Sequence, residues 1–116
     1  MKKSDKYRFN VEFLEEALKF LEDLDVKTRE KVLENIRISR FKRDPKLLKK
    51  INKEIWEYRT KFNTKQIRLL AFWDKEAKAL IICTHGFIKK TQKVPTKEIE
   101  RARKLKANYL IQKNRK

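Results

Sequence analysis

Two arginines and one glutamate are spaced so that a β-hairpin would bring their side chains together. Residues 54–59 (EIWEYR) alternate by parity, with Glu57 and Arg59 on one side of the chain, and such alternation is typical of a half-buried strand. A second strand is predicted over residues 66–73, after a short polar link. It places Arg68 on the neighbouring strand, within reach of the other two side chains.

The pairing of these two strands indicates a site for an anion. If the polar link Asn63-Thr64 is the hairpin turn, Arg59 lies directly opposite Arg68. The same register makes two further pairs, Tyr58 with Leu69 and Trp56 with Ala71. Like charges directly opposite on a sheet are destabilising, so two facing arginines suggest an anion that sits between them. Alternatively, Glu57 lies diagonal to Arg68 and neutralises the pair, and all three side chains form a solvated surface.

The composition predicts one domain with a polyanionic partner. The chain of 116 residues is long enough for a single domain, which we place at 1–116, with a core of its own. Lysine and arginine number 33 against 16 acids, a formal net charge of +17, which favours nucleic acid or an acidic protein as partner. The single Cys83 and the lack of a stretch suited to a membrane span or signal peptide predict a cytoplasmic protein with no membrane contact.

The remaining patterns predict the elements that hold the hairpin. In chain order they are a short strand at 7–11, an acidic amphipathic helix from Glu12, a basic helix at 28–43, an ordered connector at 46–53, the hairpin, an apolar strand at 79–84 and a helix from about 97 to 109. The order β-α-α-β-β-β-α predicts an α+β fold, an antiparallel sheet with a helical hairpin on one face and a C-terminal helix. The other face would be partly covered and would expose Glu57, Arg59 and Arg68.

Positive charge begins abruptly where the last predicted strand ends. Residues 85–95 read HGFIKKTQKVP, so Lys89 and Lys90 would reach the exposed face from the end of that strand. Phe87 would either stack on a base or close the end of the core. His85 could act as an acid or a base, but strand parity points it towards the helices, so we favour a core position.

These residues together resemble a known family. Residues 55–59, an arginine followed by apolar residues at Arg68, and residues 85–95 are similar to the HigB/Gp49-like branch of the RelE/ParE toxins of bacterial type II toxin–antitoxin systems. The resemblance extends over about residues 7–109 and implies a RelE-like fold. It also implies a ribosome-dependent endoribonuclease that cuts mRNA in the decoding site. The family often has a tyrosine just before the second-strand arginine, where this chain has Ile67.

The chemistry of such a nuclease gives each candidate residue a role. Cleavage without a metal requires a base for the 2′-hydroxyl, cations for the pentacoordinate phosphate and an acid for the leaving oxygen. Glu57 is the candidate base, although arginines beside it would stabilise its carboxylate, so it equally suits orienting them. Arg59 and Arg68 suit bidentate phosphate contact. Lys89 or Lys90 would protonate the leaving group or simply attract the RNA backbone.

The same resemblance suggests further contacts and partners. The candidate residues for RNA contact are Phe87, Lys93 and His85. One histidine, one cysteine and scattered acids give no metal-ligand spacing, so no metal or cofactor is expected. The expected partners are the ribosome, mRNA and a cognate antitoxin with a helix-turn-helix, through which alone the toxin would reach operator DNA. An acidic antitoxin segment should avoid the acidic first helix and favour the basic second helix, the sheet face or the last helix.

Two other functions stay open at the level of the sequence. One is a ParE-like toxin that poisons DNA gyrase without cutting RNA, and the other is a non-catalytic module that binds nucleic acid through its charge. The cluster of Glu57, Arg59 and Arg68 favours the nuclease, because gyrase poisoning does not require it.

Overall fold

One mixed sheet and three helices make up the part of the chain that the computed structural model describes, residues 7–115. In chain order the elements are β1 (Asn10–Phe13), α1 (Glu15–Asp23), α2 (Val26–Ser39), β2 (Leu48–Lys50), β3 (Trp56–Phe62), β4 (Lys65–Trp73), β5 (Leu80–Ile88) and α3 (Thr96–Asn114). The strand order across the sheet is β1-β5-β4-β3-β2, and β1 runs parallel to β5 while the other neighbours are antiparallel.

The α+β class and the helical hairpin agree with the sequence analysis, and two details of the sheet do not. The predicted connector at 46–53 contains the short strand β2, which pairs with β3. The first strand starts at Asn10 rather than residue 7 and joins β5 in parallel, so the sheet is not purely antiparallel. No helix in the described part of the chain is both long and apolar enough to cross a membrane.

The β3–β4 hairpin has the predicted turn and the predicted register. Asn63 and Thr64 have φ angles of 49° and 64°, and a two-residue turn with both angles positive matches the twist of an antiparallel pair. The register pairs Arg59 with Arg68, as well as Tyr58 with Leu69 and Trp56 with Ala71.

The main core lies between the sheet and the α1–α2 hairpin. It contains residues from both helices and from the central strands, including Cys83, which is buried as predicted. Tyr58 is buried here and its hydroxyl lies 3.0 Å from Ser39 Oγ at the end of α2. Gly86 allows α1 to approach the sheet, because a Cβ at this position would lie 2.2 Å from the ring of Phe20.

Helix α3 packs on the opposite face of the sheet and covers part of it. A small apolar cluster joins Ala102 of α3 to Ile55 and Leu70. Near the end of α3, Tyr109 Oη donates to Asp74 Oδ2 at 2.8 Å and Lys113 Nζ donates to the same carboxylate at 2.6 Å. These contacts anchor α3 over one half of the face and leave the half around Arg59 open.

A bulge in β5 decides which residues of this strand face α3. Leu70 pairs with His85, whereas the next residue, Ala71, pairs with Cys83, so Thr84 is an extra residue on β5. An extra residue reverses the side-chain alternation beyond it. His85 and Phe87 therefore lie on the same face as Arg68 and α3.

Candidate active site

The acid and the two arginines meet on the face that the helical hairpin does not cover. Arg59 and Arg68 are paired across β3 and β4, and Glu57 lies between their side chains. Its Oε1 is 3.1 Å from Arg68 Nε and its Oε2 is 3.9 Å from Arg59 Nε. The carboxylate thus offsets the repulsion between the facing arginines, as the solvated-surface interpretation requires.

This cluster is less exposed than the sequence analysis predicted, because two of its members are buried. Glu57 and Arg68 are 5% and 3% exposed, whereas the Arg59 side chain is 32% exposed. Four partly buried residues from different parts of the chain pack against the neighbouring core residues Ile55 and Leu70. They are Ile51, Phe87, Val94 and Ile99.

Arg68 is held by its own strand and keeps one donor without an aligned acceptor. Its two terminal nitrogens donate to Ile67 O at 3.1 Å and to Gln66 Oε1 at 2.8 Å. Burial lowers the pKa of the Arg68 guanidinium, and Glu57 opposes that effect. Among the described residues, the buried atoms Arg68 Nε, Glu57 Oε1 and Arg59 Nε make no aligned hydrogen bond. Arg68 Nε faces the Glu57 carboxylate at 3.1 Å, so the exposed part of the Arg59 side chain is where an anion would enter this cluster.

Arg59 borders three adjoining depressions, which we call the Arg59 cleft. Glu57 is the one acid that lines them within residues 7–115. The cations of the cleft besides Arg59 and Arg68 are Lys46, Lys49, Lys50, Lys61, Lys89, Lys90 and Lys93. So many cations around one open arginine make the cleft suitable for a polyanion.

Lys89 and Lys90 extend from the end of β5 into the cleft, as predicted. The Lys89 amide donates to Gln66 O at 2.7 Å, which fixes the chain beside β4. Lys89 is half-buried, and burial together with the positive charges of Arg68 and Arg59 lowers its pKa. Lys90 is exposed. The lowered pKa makes the Lys89 ammonium a stronger acid than an ordinary lysine.

A comparison with protein families identifies the group to which the chain belongs. Residues 19–107 match the model of the family described as phage-derived protein Gp49-like. The chain belongs to the Gp49-like family. No curated protein matches it in sequence.

Solved structures show that this Gp49-like chain has the fold of RelE. A chain of the intact E. coli RelBE toxin–antitoxin complex superposes with a TM-score of 0.52 at 18% identity, over 72% of this chain and 99% of that one. A chain of the RelBE2 toxin–antitoxin complex of Mycobacterium tuberculosis superposes with a TM-score of 0.52 at 19% identity, over 71% of this chain and 99% of that one. A mutant of E. coli toxin RelE in the free state superposes with a TM-score of 0.50 at 19% identity, over 70% of this chain and 82% of that one. The family match confirms the predicted Gp49-like branch, and the solved structures confirm the predicted RelE-like fold.

His85 of the Gp49-like chain lies in the interior, which favours the core interpretation over the predicted RNA contact. It is 1% exposed, and its Nε2 lies 2.9 Å from Glu98 Oε1 while its Nδ1 lies 3.1 Å from Thr84 Oγ1. Burial lowers the pKa of the imidazole, with Glu98 opposing this effect. The burial of His85 agrees with the favoured core position. The bulge in β5, however, turns the ring towards α3, whereas strand parity had predicted that it faces the helical hairpin.

Two further residues of the predicted RNA-binding set lie on the cleft side, in different settings. Lys93 is exposed and lines the Arg59 cleft. Phe87 is half-buried, packs against the small core under α3, and its ring stacks on His85 with centroids 6.2 Å apart. The structure therefore fits the interpretation that Phe87 closes the end of this core.

The sequence analysis missed Gln66, which contributes to the Gp49-like site in two ways. Its side chain accepts a hydrogen bond from Arg68, and it also lines the Arg59 cleft. The signal was present, because residues 66 and 68 have the same parity on one strand and therefore share a face.

Proposed function

We propose that the protein is the toxin of a type II toxin–antitoxin system and that it cuts mRNA on the ribosome as an endoribonuclease. The observation that carries this proposal is the placement of Arg59, open to the cleft, opposite the buried Arg68, with Glu57 between them and Lys89 at the edge. The fold it shares with chains of RelBE complexes and the family match support the toxin class.

The first step of the proposed reaction is the capture of a phosphate by Arg59. The Arg59 side chain is accessible, and its Nε has no aligned partner within the described residues. An incoming phosphate accepts hydrogen bonds from Arg59 and competes with Glu57 for the positive charge of both arginines. The carboxylate of Glu57 is then free to accept a proton.

The second step is attack by the 2′-oxygen of the RNA on the adjacent phosphorus. The 2′-hydroxyl proton passes to Glu57, a bond forms between the 2′-oxygen and phosphorus, and the bond from phosphorus to the 5′-oxygen breaks. Lys89 gives its proton to the departing 5′-oxygen, for which its lowered pKa is favourable. The products are a 2′,3′-cyclic phosphate and a 5′-hydroxyl end. Arg59 and Arg68 stabilise the charge of the pentacoordinate phosphate between these states.

The composition of the cleft supports a requirement for the ribosome. Strong binding of single-stranded RNA usually combines cations with aromatic platforms for the bases. Here Phe87 is packed against the core, and Ile67 is 1% exposed on the opposite face of the sheet. The cleft therefore attracts the RNA backbone but offers little to position a base. We infer that the ribosome presents the mRNA, which places the activity in the cytoplasm.

The decisive experiment maps the 5′ ends of cellular mRNA after induced expression. New 5′ ends within ribosome-covered coding regions are expected with the wild-type chain and should disappear in the Arg59→Ala variant. Arg103→Ala is the matched control, because Arg103 lies on α3 outside the cleft with 58% of its side chain exposed, and it should cut like the wild type. Growth arrest with gyrase-dependent DNA breaks and no new mRNA ends would instead identify a ParE-like poison.

The proposed partner that restrains this activity is a cognate antitoxin with a helix-turn-helix. The proposal places the toxin at operator DNA only through that antitoxin. Coexpression of the adjacent gene should prevent the new mRNA ends and yield a stable complex on copurification.

A further inference from the structure

A second pocket lies on the other face of the sheet, away from the Arg59 cleft. It has a volume of about 250 Å³ and is lined in its apolar part by Phe9, Leu48, Trp56 and Trp73. Trp56 alternates with Glu57 along β3 and therefore points to the opposite face. We call this pocket the tryptophan pocket.

The aromatic rings of the tryptophan pocket meet at right angles. Trp56 and Trp73 have centroids 6.0 Å apart and planes at 90°, and Phe9 meets Trp73 at 4.9 Å and 82°. Both tryptophans and Leu48 are only partly buried. This arrangement forms an open apolar corner, and partly exposed tryptophans in a pocket are typical anchors of protein interfaces.

The rim of the tryptophan pocket is positively charged. Arg8, Lys42 and Arg43 line it and are exposed, against one acid, Asp44. The excess of cations indicates that the occupant carries negative charge beside its apolar part.

The polar group inside the pocket is already in use. Ser39 Oγ donates to Ile36 O at 2.6 Å and lies 3.0 Å from Tyr58 Oη. A hydroxyl has one proton, so Tyr58 donates to Ser39 and neither hydroxyl has a proton left to donate to the edge of a base. Nucleobase recognition requires hydrogen bonds to base edges as well as a flat stacking surface. The pocket has no two parallel walls, and its donors lie at the rim rather than in the interior, so an apolar side chain fits the interior better than a base.

We propose that the tryptophan pocket binds one large apolar side chain of an acidic, extended protein segment. The volume suits a single side chain, because pockets for drug-sized ligands are larger, at about 300–1,000 Å³. The identity of the partner as the antitoxin rests on the proposed function, whereas the chemistry of the docking segment does not.

The segment between α2 and β2 connects this pocket to the Arg59 cleft. Lys42 and Arg43 lie at the rim of the pocket and Lys46, a few residues further on, lines the cleft. A partner anchored in the tryptophan pocket therefore finds cations at both ends of this segment, with Asp44 as the one acid between them. Its acidic residues could extend along this segment and meet the cations of the cleft.

The two tryptophans give a direct test, because the chain contains only these two. Their indole N–H signals in a ¹⁵N spectrum of the full chain are assigned with Trp56→Phe and Trp73→Phe. The probe is a synthetic peptide with one central leucine flanked by glutamates. The control peptide has alanine in place of the leucine. Both indole signals should shift with the leucine peptide, and the alanine peptide should bind about tenfold more weakly, because it buries less apolar surface.

Charge reversal at the rim tests the second half of the proposal. Lys42→Glu combined with Arg43→Glu should weaken the leucine peptide about tenfold or more through like-charge repulsion, while Lys104→Glu on the exposed side of α3 should leave binding nearly unchanged. Unmoved indole signals, equal binding of both peptides, or equal effects of the two charge reversals would overturn the proposal. Tighter binding of a single-stranded oligouridylate at the indoles would overturn it in favour of a base site.

The outcome separates the pocket from the proposed function. If the wild-type chain cuts mRNA but does not bind the leucine peptide, the docking site alone is refuted. Peptide binding in a chain that cuts no mRNA would support the docking site and refute the nuclease.

Discussion

Glu57 and Arg68 form an ion pair inside the protein, with Oε1 and Nε 3.1 Å apart and neither residue more than 5% exposed. Their attraction does not by itself make the fold more stable than an apolar pair would, because burial deprives both charges of hydration. Removal of one partner is different, since the other charge then stays buried without compensation. Substitution of either residue should therefore affect both the stability of the fold and the chemistry of the site.

Substitution of Glu57 should destabilise the protein far more than substitution of a surface glutamate. Glu57→Ala is expected to lower the free energy of unfolding by about 3–5 kcal/mol, because Arg68 is then left without its buried counterion. Glu54→Ala is the control, since Glu54 forms ion pairs on the surface with a side chain 41% exposed, and it should lower that free energy by less than about 1 kcal/mol. Urea denaturation measures both, and similar decreases would contradict the buried-pair argument.

The two arginines should differ in how their removal acts, although both substitutions should abolish growth arrest. Arg59→Ala changes a side chain that is partly open to solvent and should alter the free energy of unfolding by about 0.5 kcal/mol or less. Arg68→Ala leaves Glu57 buried and unpaired, so lower stability should accompany the loss of toxicity. Growth curves and urea denaturation of the same variants check this, and normal growth arrest by a folded Arg59→Ala variant would refute the site.

RNA affinity should depend steeply on salt, because the cleft cations displace counterions from the phosphates. The logarithm of the binding constant should fall linearly with the logarithm of salt concentration between about 50 and 200 mM. Substituting alanine for Lys90 and Lys93, both exposed in the cleft, should reduce the slope by about one for each phosphate that is no longer neutralised. Fluorescence anisotropy with a labelled RNA measures the slope. A flat response would mean that the basic surface serves another partner.

Asp74 should make the stability of the protein depend on pH in the acid range. Burial alone would raise the pKa of this carboxyl, but hydrogen bonds from Lys113, Tyr109 and two backbone amides outweigh it and lower the pKa to about 2. A lowered pKa in the folded state means that the stabilisation is complete above the ordinary value of 3.8 and disappears as pH falls towards about 2. The expected decrease is about 2 kcal/mol, since one pKa unit corresponds to about 1.4 kcal/mol.

The Asp74→Asn variant isolates this contribution. Between pH 5 and pH 2 the free energy of unfolding of this variant should fall by about 2 kcal/mol less than that of the wild type. The exposed Asp23 supplies the control, and Asp23→Asn should keep the wild-type profile. An unchanged profile in Asp74→Asn would show that the contacts to α3 do not carry the dependence.

The register of the central hairpin could be predicted because several local signals agree. Period-2 alternation in two neighbouring stretches and a two-residue link allow one pairing, and the structure has that pairing at Arg59 and Arg68. The burial of Arg68 could not be predicted in the same way. It depends on tertiary packing around the side chain, such as the approach of the Glu57 carboxylate to 3.1 Å from Arg68 Nε, and no pattern within the strand reports this packing.

The remaining errors also have physical causes. Strand β2 contains three residues, too few for alternation to show, and it forms because β3 offers a free edge. The direction of His85 could not be predicted beyond the bulge, since one extra residue in β5 leaves no signature in an apolar run. The parallel pairing of β1 with β5 depends on where the helical hairpin returns the chain, which is a property of the whole fold.

The pairing of the first strand with the last has a consequence for the synthesis of the protein. On a ribosome β1 is made long before its partner residues Leu80–Cys83. The cleft needs Lys89, which follows β5 directly. A growing chain therefore has neither a complete sheet nor a complete cleft until residues 80–89 have been made, so the cleft assembles only after both helices of the α1–α2 hairpin and the β3–β4 hairpin have been synthesised.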